Sequence, residues 1–141
     1  MDSSGDGFRW LRLAARLESL EAFRQFVREG ARAAALNDEK LWWLDLVLEE
    51  ALVNVFRYAY PPDRPGEVRV GWRSAESGGL TVVICDSGRE FDPLSKAPPD
   101  LTADLEDRPV GGLGIHLIRQ IAASVQYQRI GDMNQLTFEI R

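Results

Sequence analysis

Residues 50–60 read Glu-Ala-Leu-Val-Asn-Val-Phe-Arg-Tyr-Ala-Tyr and continue an apolar stripe that begins at Leu41. Leu41, Leu44, Leu48, Leu52, Val55 and Phe56 recur at helical spacing, so the stretch predicts a long amphipathic helix. Asn37 or Asp38 supplies its N-cap, and Pro61-Pro62 halts it. Glu50 and Asn54 stand four positions apart in this helix and project from one face, one turn from each other. A mid-helix asparagine is a poor helix former, because its side chain competes for backbone bonds. Its amide oxygen is, however, a suitable neutral ligand for Mg²⁺, a hard cation that prefers oxygen. Glu50, one turn away, is placed to orient or deprotonate a nucleophile near that metal. Taken alone, the same pair reads more readily as a solvated helix face, since exposed helical carboxylates are common.

Downstream, Glu67 to Arg73 alternates, with Val68, Val70 and Trp72 on one side, and reads as a half-buried strand. A turn at Ser77-Gly78-Gly79 leads to the nearly continuous apolar run Leu80 to Cys85, which predicts a central strand paired to the first as a hairpin. That strand ends at Asp86-Ser87-Gly88. A carboxylate fixed there can accept a hydrogen bond from an exocyclic amine such as N6 of adenine, and Gly88 removes a side chain where a base approaches the backbone. Asp-Ser-Gly is also simply a turn sequence.

Asp92 to Arg108 contains Pro93, Pro98 and Pro99 and shows no apolar period, so it predicts a long loop of the lid type. Gly111, Gly112 and Gly114 then open a helix from Gly112 to Ala123 with Leu113, Leu117, Ile118 and Ile121 buried. Amides at a helix N-terminus favour phosphate, although such a cluster also marks a hinge, and no Walker A lysine follows it. Arg108 is placed to meet a terminal phosphate, or else belongs to a solvated charge run with Asp104, Glu106 and Asp107. Arg57 and Tyr58 follow Asn54 by one turn and are candidates for the phosphate side of a pocket, Tyr58 being equally a candidate for the core. His116, the one histidine, has no acid or cysteine at ligand spacing after it and reads as structural. Val125 to Ile130 and Gln135 to Ile140 predict two more strands around a turn at Gly131-Asp132-Met133-Asn134.

Upstream, Trp10 to Arg16 predicts a short first strand, and Leu20, Phe23, Phe26, Val27 and Ala31 a first helix capped by Ser19 and loosened by Gly30. The order of elements predicts an α+β two-layer sandwich, a mostly antiparallel mixed sheet with helices on one face. At 141 residues the chain fits one domain over 10–141, behind a short tail over 1–9 and with a lid over about 92–111. The net charge of −5 argues against a nucleic-acid partner. The single cysteine, Cys85, excludes an internal disulfide and reads as a small buried hydrophobe. Met1 to Gly7 lacks a secretory apolar core, and no run reaches the ~20 residues of a membrane helix, so the expected location is cytoplasmic without a membrane partner. Trp10 and Trp42-Trp43 are candidates for an interface or for core.

Taken in order, these motifs resemble the GHKL ATPase superfamily, and within it the anti-sigma-factor serine-protein kinases. The likeness runs from about Trp10 to Arg141. Residues 50–60 look like that family's N box, Asp86-Ser-Gly88-Arg-Glu-Phe91-Asp92-Pro93 like its adenine-binding box, and Leu105 to Ile118 like its lid end and second glycine box. No phospho-accepting histidine helix precedes these motifs in the chain, so a full sensor histidine kinase is not expected.

The resemblance implies the Bergerat ATP-binding fold, with ATP and Mg²⁺ as cofactors. By position it implies Asn54 on the metal and Glu50 as general base toward a serine hydroxyl. It implies Asp86 on adenine with Gly88 and Phe91 beside it, and Gly112, Leu113 and Gly114 at the phosphates with Arg108 on the γ-phosphate. The implied partners are a STAS-type anti-sigma-factor antagonist that is phosphorylated, a sigma factor that is sequestered, and a second copy in a homodimer. The alternative implied function is an ATP-binding module that sequesters a partner, sigma factor or other, without effective kinase activity. Two positions depart from the family pattern: Tyr58, where histidine is common, and Glu90, where glycine is common after Asp-x-Gly.

Overall fold

The computed structural model describes residues 7–75, 78–95 and 118–141. Five strands form one sheet: β1 (Arg9–Ala14), β2 (Glu67–Ser74), β3 (Leu80–Asp86), β4 (Ser124–Ile130) and β5 (Met133–Ile140). Their order is β1-β2-β3-β5-β4, and every pairing among the described residues is antiparallel. Two helices, α1 (Leu20–Ala33) and α2 (Asp38–Tyr58), cover one face. The α+β sandwich is as the element order predicts.

Strand alternation decides which side chains meet the helices. Val68, Val70 and Trp72 of β2, Leu80, Val82 and Ile84 of β3, and Leu136, Phe138 and Ile140 of β5 are all buried. Against them pack Phe23, Phe26 and Val27 of α1 and Leu44, Val47, Leu48 and Leu52 of α2. Arg28–Asp45 and Arg24–Glu49, each 2.7 Å, tie the two helices together across their partly exposed flank.

Local chemistry sets the boundaries. Asn37 caps α2, its side chain accepting from the Lys40 amide at 2.8 Å. Ser19 holds the cap position of α1 but makes no side-chain cap bond, because the preceding 3₁₀ turn Leu17–Ser19 leaves it in a helical conformation. The first strand stops at Ala14 rather than Arg16, since the Arg16 amide turns back to the Ala14 carbonyl at 2.9 Å and leads into the 3₁₀ turn Leu17–Ser19. Gly30 does not loosen α1. A Cβ there would lie 2.6 Å from the Trp72 ring and 2.9 Å from Leu80, so the glycine lets the helix sit down on the sheet. At the far end, Leu36 N–H reaches Ala31 O and Ala35 N–H reaches Arg32 O, a Schellman closure with Ala35 at φ 55°.

The β4–β5 turn is tighter than the sequence implies. Gly131-Asp132 makes the reversal, with Gly131 at φ 62°, and Met133 and Asn134 already belong to β5. Ile130 pairs with Met133, and this register carries Asn134 to a position directly opposite Asp86.

Candidate functional site

Asn54 and Asp86 face one cleft between α2 and the β3–β5 end of the sheet, an open space of about 420 Å³. Ala51, Val55 and Ala59 form its helical wall, Ile84 and Leu136 its floor, and Phe91, Pro93 and Tyr127 its mouth. Asn54 lies on the inward stripe one turn after the buried Ala51 and is only 4% exposed. Its Nδ2 is buried and has no hydrogen-bond partner among the described residues. A buried amide left unpaired costs about 1–3 kcal/mol, so the site has a stake in a ligand that satisfies it. The two ends of a carboxamide have nearly the same shape. Turning this one over presents Oδ1 instead, which fits a hard cation.

Asp86 is held with equal care. Its Oδ1 accepts from the Gly88 amide at 2.9 Å and from Asn134 Nδ2 at 2.9 Å. Asn134 is the centre of this corner. Its Nδ2 also donates to Arg89 O at 2.7 Å, and its Oδ1 accepts from the Phe91 amide at 3.3 Å, from Arg129 at 3.2 Å and from the Tyr127 hydroxyl. Burial pushes the Tyr127 phenol above its ordinary value, so it keeps the proton it donates. The sequence reading missed Asn134, Tyr127 and Arg129. The signal was present: Asn134 sits in phase with Leu136, Phe138 and Ile140, a polar residue on the inward register of an apolar strand.

Gly88 is required here for a reason other than the approach of a base. A Cβ would lie 2.2 Å from Ala59 O and 2.6 Å from Ala59 C, so the turn packs directly on the end of α2. Arg89 N–H donates to the same Ala59 carbonyl at 2.9 Å. Tyr60 braces the corner from the other side, accepting from the Ser87 amide at 2.8 Å and donating to Glu67 O at 2.6 Å.

The remaining candidates divide. Phe91 lines the cleft, and its ring stacks against Tyr58 at 5.8 Å. Arg57 and Tyr58 themselves line a separate groove beyond the end of α2. Glu50 is half-buried one turn before Asn54 and lies outside the lining of the cleft. Glu90 is exposed, so its charge meets solvent. Cys85 is buried, and desolvation raises its thiol to about 11, in keeping with a structural role. Trp42 is 61% exposed and meets Trp43 edge-on at 4.7 Å, whereas Trp10 is half-buried over Gly71. Arg108, Gly112, Leu113, Gly114, His116 and the lid beyond residue 95 lie outside the described residues. No described helix is long and apolar enough to cross a membrane.

Comparison with known proteins bears on this geometry. A family model described as the histidine kinase-like ATPase domain matches residues 13–140. The chain is 32% identical over 94 residues to the serine/threonine-protein kinase BtrW of Bordetella bronchiseptica, a match covering 67% of this chain and 66% of that protein. It is 28% identical over 120 residues to the serine-protein kinase RsbW of Listeria monocytogenes, covering 82% of this chain and 76% of the relative. The chain therefore spans about two thirds of the first relative's length and three quarters of the second's. Among solved structures, the RsbU and RsbW domains of a Mycobacterium tuberculosis protein superpose with a TM-score of 0.64 at 13% identity, over 94% of this chain and 32% of that one. At that identity the likeness speaks for the fold alone.

Proposed function

The chain belongs to the histidine kinase-like ATPase domain family, and on that premise we propose that it is an ATP-dependent serine-protein kinase that works as an anti-sigma regulatory factor. In one state it holds a sigma factor, and in another it phosphorylates a serine of a small STAS-type antagonist. It acts in the cytoplasm as a homodimer. Kinase activity is supported by relatives named as serine-protein kinases. The observation that carries the nucleotide reading is the buried, unpaired Asn54 amide facing the same cleft as the clamped Asp86 carboxylate.

Bound Mg-ATP supplies the phosphoryl group and the charge neutralisation that such transfers depend on. Asn54 would offer its carboxamide oxygen to the metal. Asp86, with Oδ1 committed to Gly88 and Asn134, accepts the N6 amine of adenine and so selects the base. Phe91 and Tyr127 wall the base against water. Glu50 would take the proton of the substrate serine, and Arg108, Gly112, Leu113 and Gly114 would hold the phosphates, with ADP as the leaving group.

Calorimetry with Mg-ATP and Mg-GTP tests the cleft. Adenine-selective binding that is lost in Asn54→Ala and in Asp86→Asn is expected, and equal affinity for both nucleotides refutes the base assignment. Transfer from radiolabelled ATP to candidate antagonists, lost in Glu50→Gln while nucleotide binding persists, tests the kinase. A second reading is a sequestering module with no effective transfer, favoured by the place of Glu50 outside the lining of the cleft. Nucleotide binding without transfer to any antagonist selects it.

A further inference from the structure

On a chain of net charge −5, one groove is lined by three arginines and no carboxylate. It runs along the end of α2, the segment after it and the turn that follows β3, and it shares only Ala59 with the cleft. Its open space is about 910 Å³, twice that of the cleft and far less enclosed. Arg57 and Arg64 are exposed at its rim, with Tyr60 and Ser87 between them and Arg89.

The three guanidiniums are not equivalent. Arg89 is spent on the helix end: its Nε donates to Tyr58 O at 2.8 Å and its backbone amide to Ala59 O at 2.9 Å. Those bonds satisfy the terminal carbonyls, which are the negative pole of α2. Arg57 and Arg64 are then left with positive charge and no ion pair among the described residues. Elsewhere the chain does pair its surface arginines, as in Arg12–Glu67, Arg24–Glu49, Arg28–Asp45 and Arg141–Glu139. Arg16 and Arg32 are exposed without an ion pair among the described residues as well, but here two such arginines line one groove together with a third.

We propose that this groove docks an acidic segment of a partner protein. Guanidinium groups on an open surface match carboxylates bidentately, and arginine and tyrosine are the residues that dominate protein interfaces. An open groove suits an extended peptide better than a small molecule, which needs enclosure. Two free arginines on an acidic protein make a poor footprint for nucleic acid. The inference is independent of nucleotide, since the groove and the cleft have only Ala59 in common.

The test is fluorescence anisotropy of a labelled glutamate-rich peptide with the full chain, without nucleotide. A glutamine-rich peptide and oligothymidine serve as competitors. Binding of the acidic peptide should weaken with added salt, as exposed charge pairs do, and should fall about tenfold or more in the double variant Arg57→Glu/Arg64→Glu. Circular dichroism and thermal unfolding of that variant confirm that it is folded. Arg64→Lys, which keeps the charge but loses the fork, should fall between the two. The proposal is overturned if the glutamine-rich peptide competes as well as the acidic one, if the folded double variant binds undiminished, or if oligothymidine displaces the peptide preferentially.

Discussion

Replacing Gly88 by alanine places a methyl group 2.2 Å from Ala59 O, 2.6 Å from Ala59 C and 2.7 Å from Ala59 Cβ. Ordinary contact begins about 1 Å further out, and the obstruction is backbone at the end of a 21-residue helix, not a side chain that can swing aside. The turn has to retreat, and three bonds then lengthen together. They are Arg89 N–H to Ala59 O at 2.9 Å, Gly88 N–H to Asp86 Oδ1 at 2.9 Å and Arg129 to Gly88 O at 2.8 Å. Overpacking costs about 1–3 kcal/mol, and the weakened bonds add about 1 kcal/mol each. The expected loss is roughly 4–6 kcal/mol, or about 12–24 °C in Tm for a chain of this size. Urea unfolding with linear extrapolation measures it. Gly78→Ala is the internal control: its φ is +91° with nothing within 4 Å of the added Cβ, so it carries only dihedral strain of about 1–2 kcal/mol. If Gly88→Ala is no worse than Gly78→Ala, the close packing of the turn on α2 is wrong, and with it the account of how Asp86 is fixed.

Three further outcomes follow from particular contacts. Asn134→Leu removes the side-chain bonds from Asn134 to Asp86, Arg89, Phe91, Tyr127 and Arg129, so unfolding should cost about 3 kcal/mol less and adenine-nucleotide heat in calorimetry should vanish. Ala35→Gly relieves a φ of 55° at the Schellman position and should stabilise by about 1 kcal/mol in urea titration, whereas a loss would refute the left-handed assignment. Cys85 keeps its proton in the folded state up to about 11, against 9.0 for an ordinary thiol, so between those pH values the unfolded chain binds fewer protons than the folded one. Stability relative to Cys85→Ala should then be constant below about pH 9 and fall by roughly 2–3 kcal/mol as pH rises to 11. A flat difference profile would show the thiol to be solvated.

Much of the fold was legible because its signals are local. The Val68, Val70, Trp72 alternation and the stripe from Leu41 to Phe56 each report a period that one element needs to bury one face. Misreadings fell where a local pattern has two solutions. Gly30 looked like a defect in a helix and is a contact with Trp72, a partner forty-two positions away. Asn134 looked like part of a turn and is a strand residue, because two residues suffice for the reversal once Gly131 takes a positive φ. Arg57 and Tyr58 follow Asn54 by one turn, yet they line a different groove, since α2 ends at Tyr58 and the groove is built around that end by the segment after the helix and the turn after β3.

The sequence by itself determined which segments are helix and strand, which faces are apolar, and that a carboxamide and a carboxylate interrupt those faces at Asn54 and Asp86. Only the tertiary structure decided that both open on one cleft, that Asn134 pins the carboxylate, and that Arg57 is turned away from it. The reason lies in range. Periodicity and capping are settled within a few residues, whereas pairing Asp86 with Asn134 depends on a strand register forty-eight residues away, which the burial of the whole sheet enforces.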